Sequence, residues 1–181
     1  MTYSIVTSSR TGNTRAVADA IAAALPAGAC VYHGAPAEAA LGADVIFAGF
    51  WTDKGSCGQD MAEFLAECGG KRVALFGTAG FGGDADYFSM LLDNVKKLLP
   101  ADAVCLGGWM CQGRMPTGVR ARFAAQLEQN PDDANAKRML ENFDCALSHP
   151  DEADLAAAAT YFQHFFNNGK LVGTASAAES L

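Results

Sequence analysis

The chain is predicted to be an α/β domain in which a parallel sheet is covered by helices on both faces, and three observations predict it. Short apolar runs alternate with longer stretches of helical period. Three of those runs, Val45-Ile46-Phe47-Ala48, Val73-Ala74-Leu75-Phe76 and Val104-Cys105-Leu106, are nearly continuous, as strands buried on both faces require. The first run also feeds a helix directly through a loop of hydroxyl, glycine and amide residues. With 181 residues, 50% of them hydrophobic, the chain can bury one sizeable core but hardly two. Residues 1–169 therefore read as a single domain.

Taken in order, the strands are expected at 3–8, 29–32, 44–50, 72–77 and 103–111. The first helix, 14–25, stops at Pro26. The connection 34–42 is short and alanine-rich and reads as a short helix. A further helix at 60–68 stops at Gly69-Gly70, and another at 85–99 stops at Pro100. In the last of these, Phe88, Leu91, Leu92, Val95, Leu98 and Leu99 share one face at amphipathic spacing. After the fifth strand the alternation breaks. Residues 114–148 form a two-helix insertion, with helices at 118–129 and 132–147 separated by Asn130-Pro131. The final helix opens at Pro150-Asp151-Glu152, where proline and acids suit a helix start, and closes near Asn168-Gly169. Its buried face would be Leu155, Ala158, Ala159, Phe162, Phe165 and Phe166. Residues 170–181 are small and polar and read as a disordered tail.

Charge excludes one class of function. Lysine and arginine total 13 against 20 aspartate and glutamate, a net charge of −7, and the basic residues do not cluster into a phosphate-neutralising stripe. No nucleic-acid partner is expected, and an acidic surface suits docking to basic patches. No apolar run approaches the roughly 20 residues of a membrane span, and the first residues lack a secretory pattern. A cytoplasmic protein without membrane association is expected. The six cysteines show no CxxC spacing and read as free or buried thiols. Cys30-Val31-Tyr32-His33 has no second half at ligand spacing, so no metal site is expected. His149 and His164 read as solvated or capping residues.

The most informative stretch is Ser9-Arg10-Thr11-Gly12-Asn13-Thr14, directly between the first strand and the first helix. Backbone N–H groups at a helix start, with the helix dipole behind them, attract an anion, and three hydroxyls add donors. The stretch is neither GxxxxGKS/T nor GxGxxG, so it carries no lysine for a nucleoside triphosphate and no dinucleotide fingerprint. It suits a terminal monophosphate.

This stretch resembles the phosphate loop of the flavodoxins, a hydroxyl residue, any residue, then Thr-Gly-Asn-Thr, and matches it at Ser9, Thr11, Gly12, Asn13 and Thr14. The resemblance implies a flavodoxin-like three-layer doubly wound fold with a five-stranded parallel sheet in the order 2-1-3-4-5. It implies FMN as cofactor, its 5′-phosphate on residues 9–14, with Arg10 contributing its backbone while its side chain faces solvent. The loops after the third and fourth strands would then face the flavin. The fourth-strand loop, Gly77-Thr78-Ala79-Gly80-Phe81-Gly82, is similar to the flavodoxin ring-binding loop, so Thr78, Ala79, Gly80, Phe81 and Gly82 would meet the ring, with Phe81 as the stacking aromatic. The third-strand loop offers Trp51 and Thr52 to the ring and Gly55 as the residue whose backbone carbonyl turns on reduction. The segment Cys111 to Pro116 would border the flavin edge, with Arg114 as a charged contact.

The function implied is an FMN protein that transfers electrons from a reductase to a redox partner enzyme docking at the flavin edge. Outer-sphere transfer needs no general acid or base, so no catalytic residue is assigned. The alternatives are an NAD(P)H-dependent FMN reductase or quinone oxidoreductase, and a flavin-bearing accessory subunit of a neighbouring reductase. Seven net negative charges and ring stacking would disfavour reduced, anionic FMN and lower its potential.

Overall fold

The computed structural model of the protein describes residues 1–82 and 84–168. Chain order is β1 (Tyr3–Thr7), α1 (Asn13–Ala24), β2 (Cys30–Gly34), β3 (Val45–Asp53), β4 (Ser56–Cys57), α2 (Gln59–Ala66), β5 (Arg72–Ala79), α3 (Ala85–Lys96), β6 (Val104–Gln112), α4 (Thr117–Gln129), α5 (Ala134–Ala146) and α6 (Glu152–Asn168). The five long strands pair in parallel in the order β2-β1-β3-β5-β6, which is the doubly wound order expected. Order reverses between β1 and β3, so a crevice opens at the carboxyl ends of the strands there.

The sheet departs from expectation in one respect. The sheet carries a sixth strand, β4, paired antiparallel with β3. Lys54 and Gly55 hold φ at 47° and 81°, both in the left-handed region, and a two-residue turn of that kind folds β3 straight back on itself. As a result β3 runs to Asp53 instead of ending at Phe50. The connection 34–42 holds the short helix expected, in 3₁₀ form over Glu38–Gly42. The predicted tail, 170–181, lies outside the described residues.

Strand alternation divides the core between the two faces. Ile46, Ala48, Phe50, Val73 and Leu75 pack under Met61, Phe64 and Leu65 of α2 and Leu91 and Val95 of α3. Tyr3, Ile5, Val45, Phe47 and Phe76 pack under Val17 and Ile21 of α1 and Ala158, Phe162 and Phe165 of α6. Each fully buried large apolar side chain contributes about 1.5–3 kcal/mol. Gly49 lies beside Phe76 in the ladder, where an added Cβ would fall 2.2 Å from Phe76 Cζ, so only glycine admits that ring.

The insertion folds as a helical hairpin of α4 and α5. Most of its surface is polar, with Phe123, Ala136, Phe143 and Ala146 buried. Arg120 pairs with Asp144 across the two helices, and Gln126 donates to Asp133 at the turn. Among the described residues no helix is long and apolar enough to cross a membrane.

Candidate functional site

The carboxyl edge of the sheet is tied together by short hydrogen bonds. Ser8 donates its backbone N–H to the Gly49 carbonyl, and Gly113 donates to the Ala79 carbonyl, each at 2.9 Å. Gly12 then takes φ of +88° at the N-cap of α1 and, as a glycine, offers the helix no side-chain cap of its own. A Cβ at Gly12 would find nothing within 4 Å. The start of α1 is therefore open at Gly12, with the positive end of the helix dipole behind it.

Four side chains of the loop, Ser9, Thr11, Asn13 and Thr14, are already engaged in hydrogen bonds. Thr14 is fully buried, and its hydroxyl shares a hydrogen bond of 2.9 Å with the hydroxyl of Thr78. Ser9 Oγ accepts the Arg15 N–H at 3.3 Å. Asn13 Nδ2 donates to Thr11 Oγ1 and to the Arg114 carbonyl, while Asn13 Oδ1 is buried with no partner. Arg10 is exposed, as expected, and its guanidinium also lies over the Trp51 ring, 5.4 Å from the centroid.

A cleft of about 420 Å³ opens above these ends, a size within the usual range for small-molecule sites. It brings together eight of the predicted residues from three loops. Arg10, Thr11 and Asn13 come from the first loop and α1, Trp51 and Thr52 from β3, and Thr78, Ala79 and Gly80 from the end of β5. Thr52 Oγ1 donates to the Thr78 carbonyl at 3.1 Å and holds the two strand ends together.

Six predicted residues do not line it. Ser9 is half-buried, Gly12 exposed and Thr14 buried, each in the role given above. Gly55 occupies the β3–β4 turn, and its carbonyl accepts from Asn94 Nδ2 at 3.0 Å. Phe81 turns toward α3, its ring edge-on to Tyr87 at 5.8 Å, with the Arg138 guanidinium 5.9 Å from its centroid. Gly82 donates its N–H to Asn142 Oδ1.

The far wall of the cleft comes from the segment after β6 and from α4. Gly113, Arg114, Met115 and Pro116 belong to the stretch that sequence reading placed at the edge, whereas Gly118, Val119 and Arg122 were not anticipated. Asn142 of α5 was also missed. Its Nδ2 donates to the Gly80 carbonyl at 3.0 Å and its Oδ1 accepts from Gln112 Nε2 at 3.1 Å. Exposed polar helices have no motif that announces which loop they cover.

All six cysteines are free. Burial pushes up the thiols of Cys57 and Cys111, and Asp154 and Asp151 raise Cys111 further. Both stay protonated near neutral pH and are poor nucleophiles. His149 Nδ1 meets Asp154 Oδ2 at 2.5 Å, and Asp151 and Asp154 exchange backbone-to-carboxylate bonds at the start of α6.

The family model described as "Flavodoxin domain" matches residues 4–163. A "Flavodoxin-like domain-containing protein BilS" of Clostridium symbiosum (strain WAL-14163) is 41% identical over 182 residues, covering 91% of this chain and 94% of that protein. A protein of the same description from Clostridioides difficile (strain CD3) is 30% identical over 129 residues, covering 71% of this chain and 73% of that one. Among solved structures, two-electron reduced Megasphaera elsdenii flavodoxin is 25% identical with a TM-score of 0.45, covering 64% of this chain and 89% of that one.

Proposed function

The chain belongs to the flavodoxin domain family, and from that premise we propose that it holds FMN in the cleft and passes electrons from a reductase to a redox partner. One observation carries the reading: the open start of α1 at Gly12 adjoins the same cleft as Trp51 and residues 78–80. The residues present fit the group. A monophosphate would take the N–H groups of α1 ahead of Arg15, whose own N–H is held by Ser9 Oγ, and the unpartnered acceptor Asn13 Oδ1 would be satisfied by a ribityl hydroxyl. Trp51, Met115 and Val119 offer flat apolar surface to a conjugated ring.

In this reading residues 9–14 hold the phosphate, with Thr14 acting through its bond to Thr78. Trp51 and Thr52 bound the ring on the β3 side, and residues 78–82 present backbone donors and acceptors to its polar edge. FMN, when bound, supplies one-electron and two-electron redox chemistry. Phe81 and Gly55 stand back from the cleft, so a role for either requires their loops to move when the cofactor binds.

The test is FMN titration of the purified protein followed by anaerobic potentiometric reduction. Saturable binding and two separated one-electron waves, without direct bleaching by NADPH or NADH, are expected for a carrier. Rapid two-electron bleaching by either nucleotide would overturn the carrier in favour of a reductase. The phosphate assignment has its own control, because Thr11→Glu places a carboxylate against the phosphate and should abolish FMN binding. Unchanged affinity in that variant would remove residues 9–14 from the site.

A further inference from the structure

Arg10 stands at the one position of the first loop that the family pattern leaves open, and its side chain takes no part in the hydrogen bonds that tie that loop together. It reaches across to β3 instead, where its guanidinium lies 5.4 Å from the centroid of the Trp51 ring, and both residues line the cleft. Among the described residues Arg10 is in no ion pair, so no carboxylate cancels its charge. Of the three arginines lining the cleft it is the one whose charged group rests on Trp51, since Arg122 sets its own over Phe123 of α4.

The charge beside Trp51 is therefore opposite in sign to that of the chain. The protein has 20 acidic residues against 13 lysines and arginines, yet no aspartate or glutamate lines the cleft. Exposed charges more than about 8 Å apart are largely screened at physiological ionic strength, so carboxylates scattered over the rest of the surface weigh less on the cleft than one cation held within it. A guanidinium is weakly hydrated and stacks on an aromatic face, which fixes a long side chain that would otherwise sample solvent. Reduction makes that placement matter. Two electrons and one proton convert a neutral oxidised flavin ring into an anionic reduced one, and to first order only the anionic form is attracted by a nearby cation.

We propose that Arg10 is a redox-tuning residue: held over Trp51, its guanidinium favours the reduced, anionic flavin over the oxidised one and raises the potential at which the second electron enters. The electrons come from the reductase of the reading above and the proton from water. Arg10 transfers neither and supplies only a fixed charge. The inference rests on the FMN reading, and it sets a local cation against the lowering of potential expected from seven net negative charges.

The experiment is a spectroelectrochemical titration, at saturating FMN, of the parent and of the variants Arg10→Gln, Arg10→Lys and Arg15→Gln. Arg15 is exposed and does not line the cleft, and its loss changes the net charge by the same unit. In Arg10→Gln the midpoint for the second electron should fall by about 40 mV, which at 59 mV per tenfold is about a fivefold loss of affinity for the reduced ring relative to the oxidised one. Arg10→Lys, which keeps the charge, should recover at least about half of that fall, and Arg15→Gln should produce less than about half of it. Because a potential reports the ratio of two affinities, a general weakening of FMN binding in a variant does not enter it. In the FMN-free protein, acrylamide quenching of tryptophan emission should increase in Arg10→Gln, because Trp51 loses its cover while Trp109 stays buried. An unshifted potential in Arg10→Gln, an equal fall in Arg15→Gln, or unchanged quenching would overturn the proposal and leave the flavin site standing. Failure of the parent protein to bind FMN is a separate result that overturns the flavin reading, and this inference with it.

Discussion

Cys68 shows how much one buried atom can say. It is fully buried against α2 and the sheet, and burial pushes its thiol from the ordinary 9.0 up to about 11, with Glu67 adding to the rise. The folded protein thus keeps its proton where the unfolded chain has lost it. Stability from this group is fully present below about pH 9 and is lost as pH rises toward 11. Urea midpoints measured at neutral pH and through that window should fall, and Cys68→Ala should flatten the decline; an equal decline in the variant would assign it elsewhere. The cysteine spacings already indicated unpaired thiols, but no spacing says which thiol is buried. The same holds at Thr14. Its place in Thr-Gly-Asn-Thr was legible, whereas its hydroxyl bond to Thr78 depends on β1 and β5 flanking β3.

At the scale of elements, the α4–α5 hairpin separates what pattern reveals from what it hides. Its two helices and the break at Asn130-Pro131 could be read from periodicity and turn chemistry, to within two residues at each boundary. Where the hairpin folds could not, because few of its residues are buried and its polar side chains give no direction. Asn142 is the hinge of that docking, with bonds to Gly80, Gly82 and Gln112 that hold the loop after β5. Asn142→Ala should leave the sheet intact and loosen that loop. FMN affinity should weaken by about tenfold, given about 0.5–1.5 kcal/mol for each lost bond, and amide exchange at Gly82 should accelerate. Unchanged exchange there would show that Gln112 holds the loop unaided. The β4 hairpin was missed for a different reason: Lys54 is an unusual residue for a left-handed turn position, so the Lys54-Gly55 pair did not read as a two-residue hairpin.

For the molecule as a whole, the two apolar layers carry the fold, and the α1 and α6 side is built on aromatic rings. Phe162 is fully buried and meets Phe47 and Phe76 edge-on, at 5.3 Å and 5.9 Å between centroids. Phe162→Ala should cost about 3–5 kcal/mol, read as a lower urea midpoint with an unchanged slope. A loss below about 1 kcal/mol would mean that the layer collapses into the space. The sequence by itself determined the alternation of strands and helices, the apolar faces and the loop that opens α1, because each is a property of neighbouring residues along the chain. Only the tertiary structure decided which loops share a cleft, that Phe81 turns away from it, and that Arg10, Arg114 and Arg122 gather in an otherwise acidic protein. These depend on strand order and on where a polar hairpin docks, which bring residues about a hundred positions apart, such as Asn13 and Arg114, within hydrogen-bonding distance.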